Sequence, residues 1–477
     1  MNDVDIAFAP AVEQLNLLNS CQLRAAELLE LYLDRVDRLN SAYNLIVAFD
    51  RGRARKVAAE IDRHRATGQP LGPLAGLPIT IKDSFEVVGM PTTCGFEHLR
   101  DHRPTQDADA VARLRKAGAN IFGKTNLPAG ASDWQSFNPV YGMSRNPWNP
   151  DRTVGGSSGG AAGAVAAGFT SFELGSDIGG SIRIPSHFCG VFGHKPTYGL
   201  VPVRGQIPPP PGTLSQPELG VAGPIARSAE DLAFLLPILA ERELARSRHD
   251  RLADFRVGVW MGDTVYRVDR AYRAALEAYI DELRKAGASI EEVSLPVDPL
   301  DSYETYLQVL FAIVGAPALQ EADVFERLAG QDDTGMAAKI ARYMRTSLSE
   351  WFELAEKREH LFRAWAGFFT GYDLLLCPAA PVVAFEHMAE GSGVHSDQLF
   401  RRVTIDGQPA QYLDFTWQGL ALVANLPATV MPTSNLVDGL PAGLQIIAPY
   451  SEDLTGIRFA QLAAQRAGAF RQPPELS

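Results

Sequence analysis

The chain has 477 residues, 46% of them hydrophobic, and a formal net charge of −12 at pH 7. That length suffices for one large α/β unit or for two to three domains with a sizeable core. The acidic balance, without a stripe of lysine and arginine, argues against nucleic-acid binding as a main role. No stretch approaches the roughly 20 apolar residues of a membrane span and no secretory signal is visible, so we expect a soluble, cytoplasmic protein.

The predicted elements alternate between strands and helices along most of the chain. Apolar runs predict strands at 76–81, 120–122, 172–175, 257–260, 289–293, 374–377, 428–431 and 443–447. Apolar periodicity predicts helices at 20–40, 108–118, 161–168, 270–286 and 454–467. This alternation favours an α/β fold, with a mixed central β-sheet covered by helices on both faces. The exception is 300–369, almost wholly helical in pattern, which we interpret as an inserted helical cap.

The cysteines give no sign of a metal centre or a disulfide framework. Cys21, Cys94, Cys189 and Cys377 are widely spaced, with no CxxC pair and no metal-ligand pattern with histidine. We therefore expect reduced, mostly buried thiols and no bound metal.

Two glycine-rich stretches carry the main chemical signal. Ser157 lies within the run 155–160, Gly-Gly-Ser-Ser-Gly-Gly, and Ser181 within 177–183, Asp-Ile-Gly-Gly-Ser-Ile-Arg. Glycine lacks a Cβ, so such backbone can bring N–H groups close to a ligand. A serine beside free N–H donors is what acyl transfer needs, namely a nucleophile next to an oxyanion site.

A second pattern in the sequence favours a different interpretation, a phosphate-binding loop. Residues 118–125, Gly-Ala-Asn-Ile-Phe-Gly-Lys-Thr, match the pattern GxxxxGK[ST]. A phosphate loop follows a strand and opens a helix, so that its amides surround the phosphates. Here Gly118 closes a predicted helix and 121–122 is itself the apolar strand, so the pattern argues against a nucleotide site.

The interpretation of the first glycine-rich run as the nucleophile elbow of an α/β-hydrolase is also weak. Residues 155–159 satisfy GxSxG, but the elbow of α/β-hydrolases follows a strand and needs a histidine downstream. The preceding residues 149–153 are loop-forming, and His187 and His194 come too soon. The later histidines lie in polar or irregular settings: His249, His360, His387 and His395.

Without a suitable histidine, a catalytic serine needs another base. A lysine whose pKa is lowered by burial can serve, and Lys82 ends an apolar strand. Taken alone, such a lysine is more typical of one that extends its amine to solvent from a strand end.

Several short motifs in a fixed order decide between these interpretations. The motifs are 76–83 (GLPITIKD), 123–126 (GKTN), 146–148 (NPW), 155–160 (GGSSGG), 175–185 (GSDIGGSIRIP), 188–190 (FCG) and 195–199 (KPTYG). Together they resemble the amidase signature family, densely over 74–232 and weakly over 373–378 and 439–445.

The resemblance implies a Ser-cisSer-Lys triad and no cofactor. Position by position, Lys82 is the base, Ser157 the bridging serine on a cis peptide, and Ser181 the nucleophile. The oxyanion hole is implied to consist of the N–H groups of Ile178, Gly179, Gly180 and Ser181. Ser158 is expected as a supporting hydroxyl, and Asp177 with Arg183 as a structural pair behind the loop.

The resemblance also implies one amidase domain over 1–477. Its parts are a signature core at 74–232, the helical cap at 300–369, and C-terminal strands and a helix at 370–470 that complete the sheet. A homodimer is a fair expectation for a soluble enzyme.

Within this family, the sequence favours a stand-alone hydrolase. The alternative is the glutamine-hydrolysing subunit of a tRNA-dependent amidotransferase, which needs a partner chain and holds the amino-acid head group with an arginine and an aspartate. Residues 203–206 (Val-Arg-Gly-Gln), followed by the prolines 208–211, depart from that pattern, and Asp414 does not align cleanly.

The expected substrate is a small apolar or aryl amide, with carbamates, urethanes and esters as further options for the same triad. An apolar cleft wall is indicated collectively by the proline turn 208–211, the helical cap and four aromatic residues: Trp134, Phe137, Tyr141 and Trp417. Taken singly, each aromatic residue is more typical of core packing.

Overall fold

The computed structural model describes residues 2–315, 319–332, 334–388 and 398–476. The strands in this part of the chain are β1 (Ile46–Phe49), β2 (Pro78–Lys82), β3 (Asn120–Thr125), β4 (Phe137–Asn138), β5 (Gly142–Met143), β6 (Arg145–Asn146), β7 (Asn149–Thr153), β8 (Glu173–Asp177), β9 (Phe192–Lys195), β10 (Val221–Ala226), β11 (Arg256–Val259), β12 (Ser289–Glu292), β13 (Leu374–Pro378), β14 (Arg402–Ile405), β15 (Gln408–Gln411), β16 (Ala428–Val437) and β17 (Leu440–Ile447).

The helices in the same ranges are α1 (Asp3–Phe8), α2 (Ala11–Asn19), α3 (Ala25–Tyr43), α4 (Arg51–Ala66), α5 (Asp109–Lys116), α6 (Gly159–Ala166), α7 (Arg183–Cys189), α8 (Ala229–Leu239), α9 (Arg270–Lys285), α10 (Pro299–Gly315), α11 (Leu319–Leu328), α12 (Met336–Met344), α13 (Leu348–Gly371), α14 (Thr416–Leu422) and α15 (Asp453–Ala467). None of the helices described is long and apolar enough to cross a membrane.

Eleven of the described strands form one mixed sheet in the order β1-β3-β2-β8-β10-β9-β16-β17-β13-β11-β12. β3, β2 and β8 run parallel on one side, and β13, β11 and β12 run parallel on the other. The strands between these groups are antiparallel. β2, β3, β8 and β10 are buried along their whole length, because helices cover both faces of the sheet. The predicted fold class is confirmed.

The segment predicted as a helical cap contains α10 to α13, and it connects β12 to β13 within the same sheet. Both strands pair with β11 in parallel, so the polypeptide leaves and re-enters the sheet on either side of one strand. The described part of this segment is therefore helical, as the pattern predicts. The division of the chain into a core, a cap and a C-terminal part stays a prediction.

Three strands of the main sheet escape the sequence pattern. β9 (Phe-Gly-His-Lys) alternates with polar residues, and β10 (Val-Ala-Gly-Pro-Ile-Ala) contains both Gly and Pro. β1 is a short edge strand that pairs with β3 alone. The first predicted helix also differs, because α2 ends at Asn19 and α3 begins only at Ala25.

Helix α6 packs directly against the backbone that follows β3, as its alanine and glycine content predicts. A Cβ on Gly160 would lie 2.5 Å from both the N and the O atom of Asn126. The Gly160 N–H also donates to the Asn126 carbonyl at 3.1 Å. The helix that follows Ser157 is thereby fixed against the loop after β3.

We expect Gly160→Ala to destabilise the protein by roughly 1–3 kcal/mol, because the added methyl meets backbone atoms that cannot turn aside. The matched control is Gly52→Ala in α4, where a Cβ meets no heavy atom within 4 Å. That change should be neutral or stabilise the fold by roughly 0.4–1 kcal/mol. Urea unfolding of both variants is the measurement, and equal effects would contradict the close packing of α6.

Candidate active site

The site begins at the carboxyl end of two neighbouring parallel strands. Lys82 is the last residue of β2, and Ser176 and Asp177 end β8. Because β2 and β8 run parallel, these ends meet at one edge of the sheet. Lys82 is fully buried, and its Nζ atom lies 2.7 Å from Ser157 Oγ and 3.0 Å from Ser176 Oγ.

Burial decides the protonation of the lysine. Removal from water lowers the pKa of Lys82 to about 7, and the opposing influence of Cys94, Asp177 and Glu173 offsets only part of this effect. Near neutral pH, a substantial fraction of the amine is therefore uncharged and has a lone pair. The amine can then accept a proton from the Ser157 hydroxyl.

Ser157 is placed by the glycine-rich loop between β7 and α6. The Gly156–Ser157 peptide bond is cis, as the resemblance implies. A Cβ on Gly156 would lie only 2.2 Å from the Asp133 carbonyl oxygen, so only glycine fits at that position.

Ser181 lies in the turn between β8 and α7, and 7% of its surface is exposed. The Ser158 N–H donates to the Ser181 carbonyl at 3.0 Å, which holds the two glycine-rich loops together. The Ser158 hydroxyl donates to the Ser176 carbonyl at 3.2 Å and accepts the Ser176 N–H at 3.3 Å. These bonds place Ser158 between the loop of Ser157 and the end of β8, and its role as a supporting hydroxyl stays a prediction.

A fully buried ion pair organises the loop that carries Ser181. The Arg183 guanidinium contacts both carboxylate oxygens of Asp177 at 3.0 Å and also donates to Gln445 at 2.8 Å. Burial alone would raise the pKa of Asp177, but Arg183 and the amide donors hold it below its usual range. Asp177 and Arg183 therefore form a buried ion pair, and its role in supporting the loop stays a prediction.

The loop departs from expectation at Gly180. Its N–H already donates to Asp177 Oδ1 at 2.9 Å, so it is not free to serve an oxyanion. Among the described residues, no acceptor meets the N–H groups of Ile178, Gly179 and Ser181. These three residues line the adjoining cavity, whereas Gly180 does not.

The cavity beside Ser181 has a volume of about 500 Å³. Apolar side chains from α10, α11 and α12 form much of its wall: Leu310, Phe311, Ile313, Val314, Phe325, Met336, Ile340 and Met344. Pro208 and Pro209 form another part of the wall. Among the described residues, no lysine or arginine side chain lines it.

Of the four aromatic residues proposed for a cleft wall, only Trp134 lines this cavity. Trp417 is fully buried, and its indole N–H donates to the Arg267 carbonyl at 2.9 Å. Phe137 and Tyr141 lie outside the cavity lining. For these three the interpretation as a cleft wall is wrong. The wall comes instead from the helical segment and from Pro208 and Pro209, both of which the sequence also indicates, and it includes Phe311 and Phe325 beside aliphatic and methionine side chains.

Two polar residues of the site were also missed. Ser176 contacts Lys82 directly, and Gln206 Nε2 donates to Ser176 Oγ at 3.0 Å. Ser176 precedes Asp177 in the second glycine-rich motif, which is the only signal that could have identified it. Gln206 lies 30 positions further along the chain, where no local pattern marks it.

The competing phosphate-loop pattern is a strand in the structure. Asn120–Thr125 forms β3, and Lys124 Nζ lies 3.1 Å from Asp83 Oδ1 with both side chains fully buried. The lysine of the pattern therefore neutralises a buried carboxylate, and residues 121–122 lie in a strand, as the sequence pattern predicts.

The nucleophile-elbow pattern fails as well, although one reason given for rejecting it is wrong. Residues Asn149–Thr153 form β7 and not a loop, but β7 pairs with β6 in a two-stranded sheet outside the main sheet and also forms a bridge between Arg152 and Glu386. His187 Nδ1 accepts the Gly443 N–H at 2.7 Å, and His194 Nε2 lies 3.1 Å from Asp453. Neither lines the cavity, and His395 lies outside the described residues.

The described residues include no group of three or more His, Cys, Asp or Glu side chains arranged to hold a metal ion. The buried thiols Cys94, Cys189 and Cys377 are free, and Cys21 is free but exposed.

Comparison with known proteins decides the family. A family model described as Amidase matches residues 27–455. The chain belongs to the amidase family. This amidase is 30% identical to a glutamyl-tRNA(Gln) amidotransferase subunit of Thermosynechococcus vestitus, over 95% of this chain and 96% of that protein. It is also 30% identical to the indoleacetamide hydrolase of Bradyrhizobium diazoefficiens, over 96% of this chain and 86% of that protein.

Solved structures of amidases have the same fold as this chain. A crystal structure of an amidase matches with a TM-score of 0.79 at 30% identity, over 96% of this chain and 100% of that one. A bacterial aryl acylamidase of the amidase signature family gives a TM-score of 0.79 at 25% identity, over 97% of this chain and 96% of that one. The predicted membership of the amidase signature family is confirmed, and the chain is an amide-hydrolysing enzyme.

We expect Arg183→Met to destabilise the amidase by roughly 3–5 kcal/mol, because it leaves the Asp177 carboxylate buried without its counter-charge. The matched control is Arg204→Met, since Arg204 pairs with Asp109 and Glu241 at the surface. That loss should cost about 0–1 kcal/mol. Urea unfolding distinguishes the two, and a small cost for Arg183→Met would contradict the role assigned to the buried pair.

Proposed function

We propose that this amidase is a stand-alone hydrolase that cleaves the C–N bond of small, uncharged apolar or aryl amides through a serine acyl-enzyme. Carbamates and esters of similar shape are further substrates in this proposal. The observation that carries it is the contact between the buried Lys82 amine and Ser157, beside a cavity that contains Ser181 and no cationic side chain in its described lining.

The first step of the proposed proton path follows the contact between Lys82 and Ser157. Neutral Lys82 accepts the proton of Ser157, and Ser157 accepts the proton of Ser181 as Ser181 Oγ bonds to the substrate carbonyl carbon. The same relay then returns a proton to the leaving amine as the C–N bond breaks. Water repeats the attack on the acyl-enzyme and releases the acid.

The negative charge that develops on the carbonyl oxygen needs donors beside Ser181. We assign this role to the N–H groups of Ile178, Gly179 and Ser181, because Gly180 is committed to Asp177. Asp177 and Arg183 hold the turn from behind, and Ser158 ties it to the loop of Ser157.

The second candidate is the glutamine-hydrolysing subunit of a tRNA-dependent amidotransferase. The 30% identity to a subunit of such an enzyme, over 95% of the chain, favours it. The cavity favours the first candidate, because the carboxylate of glutamine needs a cation and no described lysine or arginine lines the wall. Arg204 is engaged with Asp109 and Glu241, and Asp414 lies between the lining residues Leu413 and Phe415 without lining the cavity itself.

The deciding assay is release of 4-nitroaniline by the purified chain without ATP, glutamine, metal or partner. We expect turnover of pentanoyl-4-nitroanilide, and much slower turnover of γ-glutamyl-4-nitroanilide, which has a similar acyl length but carries the charged head group. Ser181→Ala should lower kcat by roughly 10⁴-fold or more.

Two outcomes of this assay contradict the proposal. Preference for the γ-glutamyl substrate would favour the amidotransferase candidate. Equal turnover by wild type and Ser181→Ala would exclude Ser181 as the nucleophile.

The pH dependence of the acylation rate tests whether Lys82 is the base. Because burial lowers the pKa of Lys82 to about 7, the uncharged fraction of the amine increases as the pH rises through that value. The rate of acylation should therefore rise to a half-maximum near pH 7 and level off above it. Initial rates between roughly pH 5 and pH 9 measure this, with Lys82→Ala as the inactive reference. A profile that is flat through pH 7, or a Lys82→Ala variant with wild-type turnover, would remove Lys82 from the mechanism.

A further inference from the structure

Two side chains outside the glycine-rich motifs donate to the backbone of the turn that carries Ser181. The Tyr306 hydroxyl donates to the Ile178 carbonyl at 2.9 Å, and the Trp134 indole N–H donates to the Gly179 carbonyl at 3.1 Å. Tyr306 comes from α10, 128 positions further along the chain, and is fully buried. Two successive peptide groups of the turn are therefore held from outside it.

The direction of each amide follows from the planarity of the peptide. In a trans peptide, the N–H points opposite to the C=O of the same plane. The Ile178–Gly179 bond is trans, so the bond from Tyr306 to the Ile178 carbonyl also sets the direction of the Gly179 N–H. That N–H meets no acceptor among the described residues, and Gly179 lines the cavity.

The next peptide of the turn shows the same relation between its carbonyl and its N–H group. The bond from Trp134 to the Gly179 carbonyl sets the direction of the Gly180 N–H, which donates to Asp177 Oδ1 at 2.9 Å. In this peptide, Trp134 holds the carbonyl oxygen on one side and Asp177 accepts the N–H group on the other. The Ile178–Gly179 peptide has the same arrangement on its carbonyl side, with the N–H left open.

The surroundings keep the Tyr306 ring in place. A Cβ on Gly419 of α14 would lie 2.5 Å from Tyr306 Cδ1, so the ring packs directly on that glycine. The rings of Tyr306 and Phe415 are also neighbours, with centroids 6.5 Å apart. The hydroxyl is therefore presented to the turn by two packed helices.

We infer that Tyr306 is a positioning residue, which holds the Ile178–Gly179 peptide so that the Gly179 N–H is aimed at the oxygen of the substrate carbonyl as it becomes negatively charged. The inference rests on the proposed function and adds to it a residue from the helical segment that touches neither substrate nor triad. It also gives α10 two roles, since Leu310 and Phe311 of the same helix line the cavity.

The test compares Tyr306→Phe with Tyr303→Phe. Tyr303 is a buried tyrosine of the same helix whose hydroxyl makes no bond to the turn 177–183. The readouts are the acylation rate with 4-nitrophenyl acetate, kcat and KM with the chromogenic anilide, and the affinity for phenylboronic acid. The boronic acid forms a tetrahedral adduct with a catalytic serine and places an oxygen where the oxyanion forms.

Removing a whole oxyanion donor typically lowers kcat by about 10²–10³-fold, and misdirecting one should cost less. For Tyr306→Phe we expect kcat and the acylation rate to fall roughly tenfold, phenylboronic acid to bind weaker by a similar factor, and KM to change less than twofold. Tyr303→Phe should match wild type in all of these. A role of Tyr306 in packing alone would not move the boronic acid affinity and kcat together at constant KM.

Gly419→Ala provides a second variant, because its methyl group displaces the Tyr306 ring without removing the hydroxyl. It should reproduce the loss in kcat and in boronic acid affinity, and it keeps the test decisive if Tyr306→Phe does not fold. Wild-type values in both variants, or a change in KM alone, would overturn the inference. If wild type forms no acetyl-enzyme at Ser181, the proposed function fails and this inference fails with it; if it does and the Tyr306 variant behaves like Tyr303→Phe, only this inference fails.

Discussion

The burial of one amine is the constraint on which the rest of the site depends. Lys82 ends a strand that is covered on both faces, and its Nζ atom lies beside two hydroxyl groups. A carboxylate in their place would keep the amine charged. An ammonium ion is costly to bury without a counter-charge, so the amine loses its proton more easily there. Asp83 follows directly in sequence, but its charge is balanced by Lys124 at 3.1 Å. This pairing leaves Lys82 without the direct ion pair that would raise its pKa.

The second constraint is that the turn carrying Ser181 has three N–H groups, those of Ile178, Gly179 and Ser181, without an acceptor among the described residues. Unpaired amides are unfavourable in a buried turn, and the loop compensates with donors and acceptors placed around it. Asp177 accepts the Gly180 and Ile182 amides, Arg183 neutralises Asp177, and Trp134 satisfies a carbonyl. The polar groups of the turn are thus satisfied partly from within it and partly by distant side chains, whereas the N–H groups of Ile178, Gly179 and Ser181 meet no acceptor among the described residues.

How far the sequence predicts this arrangement depends on how local each feature is. The glycine-rich runs and the end of β2 are visible as short patterns, and the structure brings Lys82 and Ser157 into contact as the family resemblance implies. Ser176 and Gln206 escape prediction because a contact across separate loops leaves no periodicity. β9 and β10 escape because their polar, glycine and proline residues are tolerated only through partners elsewhere, such as Asp453 for His194. The commitment of Gly180 to Asp177 is a matter of peptide orientation, which the residue types alone do not fix.

The cavity wall and the turn that carries Ser181 are built by different parts of the chain, but a hydrogen bond connects them. Lys82, Ser157 and Ser181 lie on the edge of the sheet, whereas much of the wall comes from α10 to α12. If the wall had no contact with the turn that carries Ser181, its residues could be exchanged to fit another acyl group without any effect on the turn. Here α10 supplies both wall residues and the Tyr306 hydroxyl that bonds to the Ile178 carbonyl. A substitution that shifts this helix to reshape the cavity also shifts a donor to the turn, so side-chain exchange on a fixed helix is the less disruptive route to a new specificity.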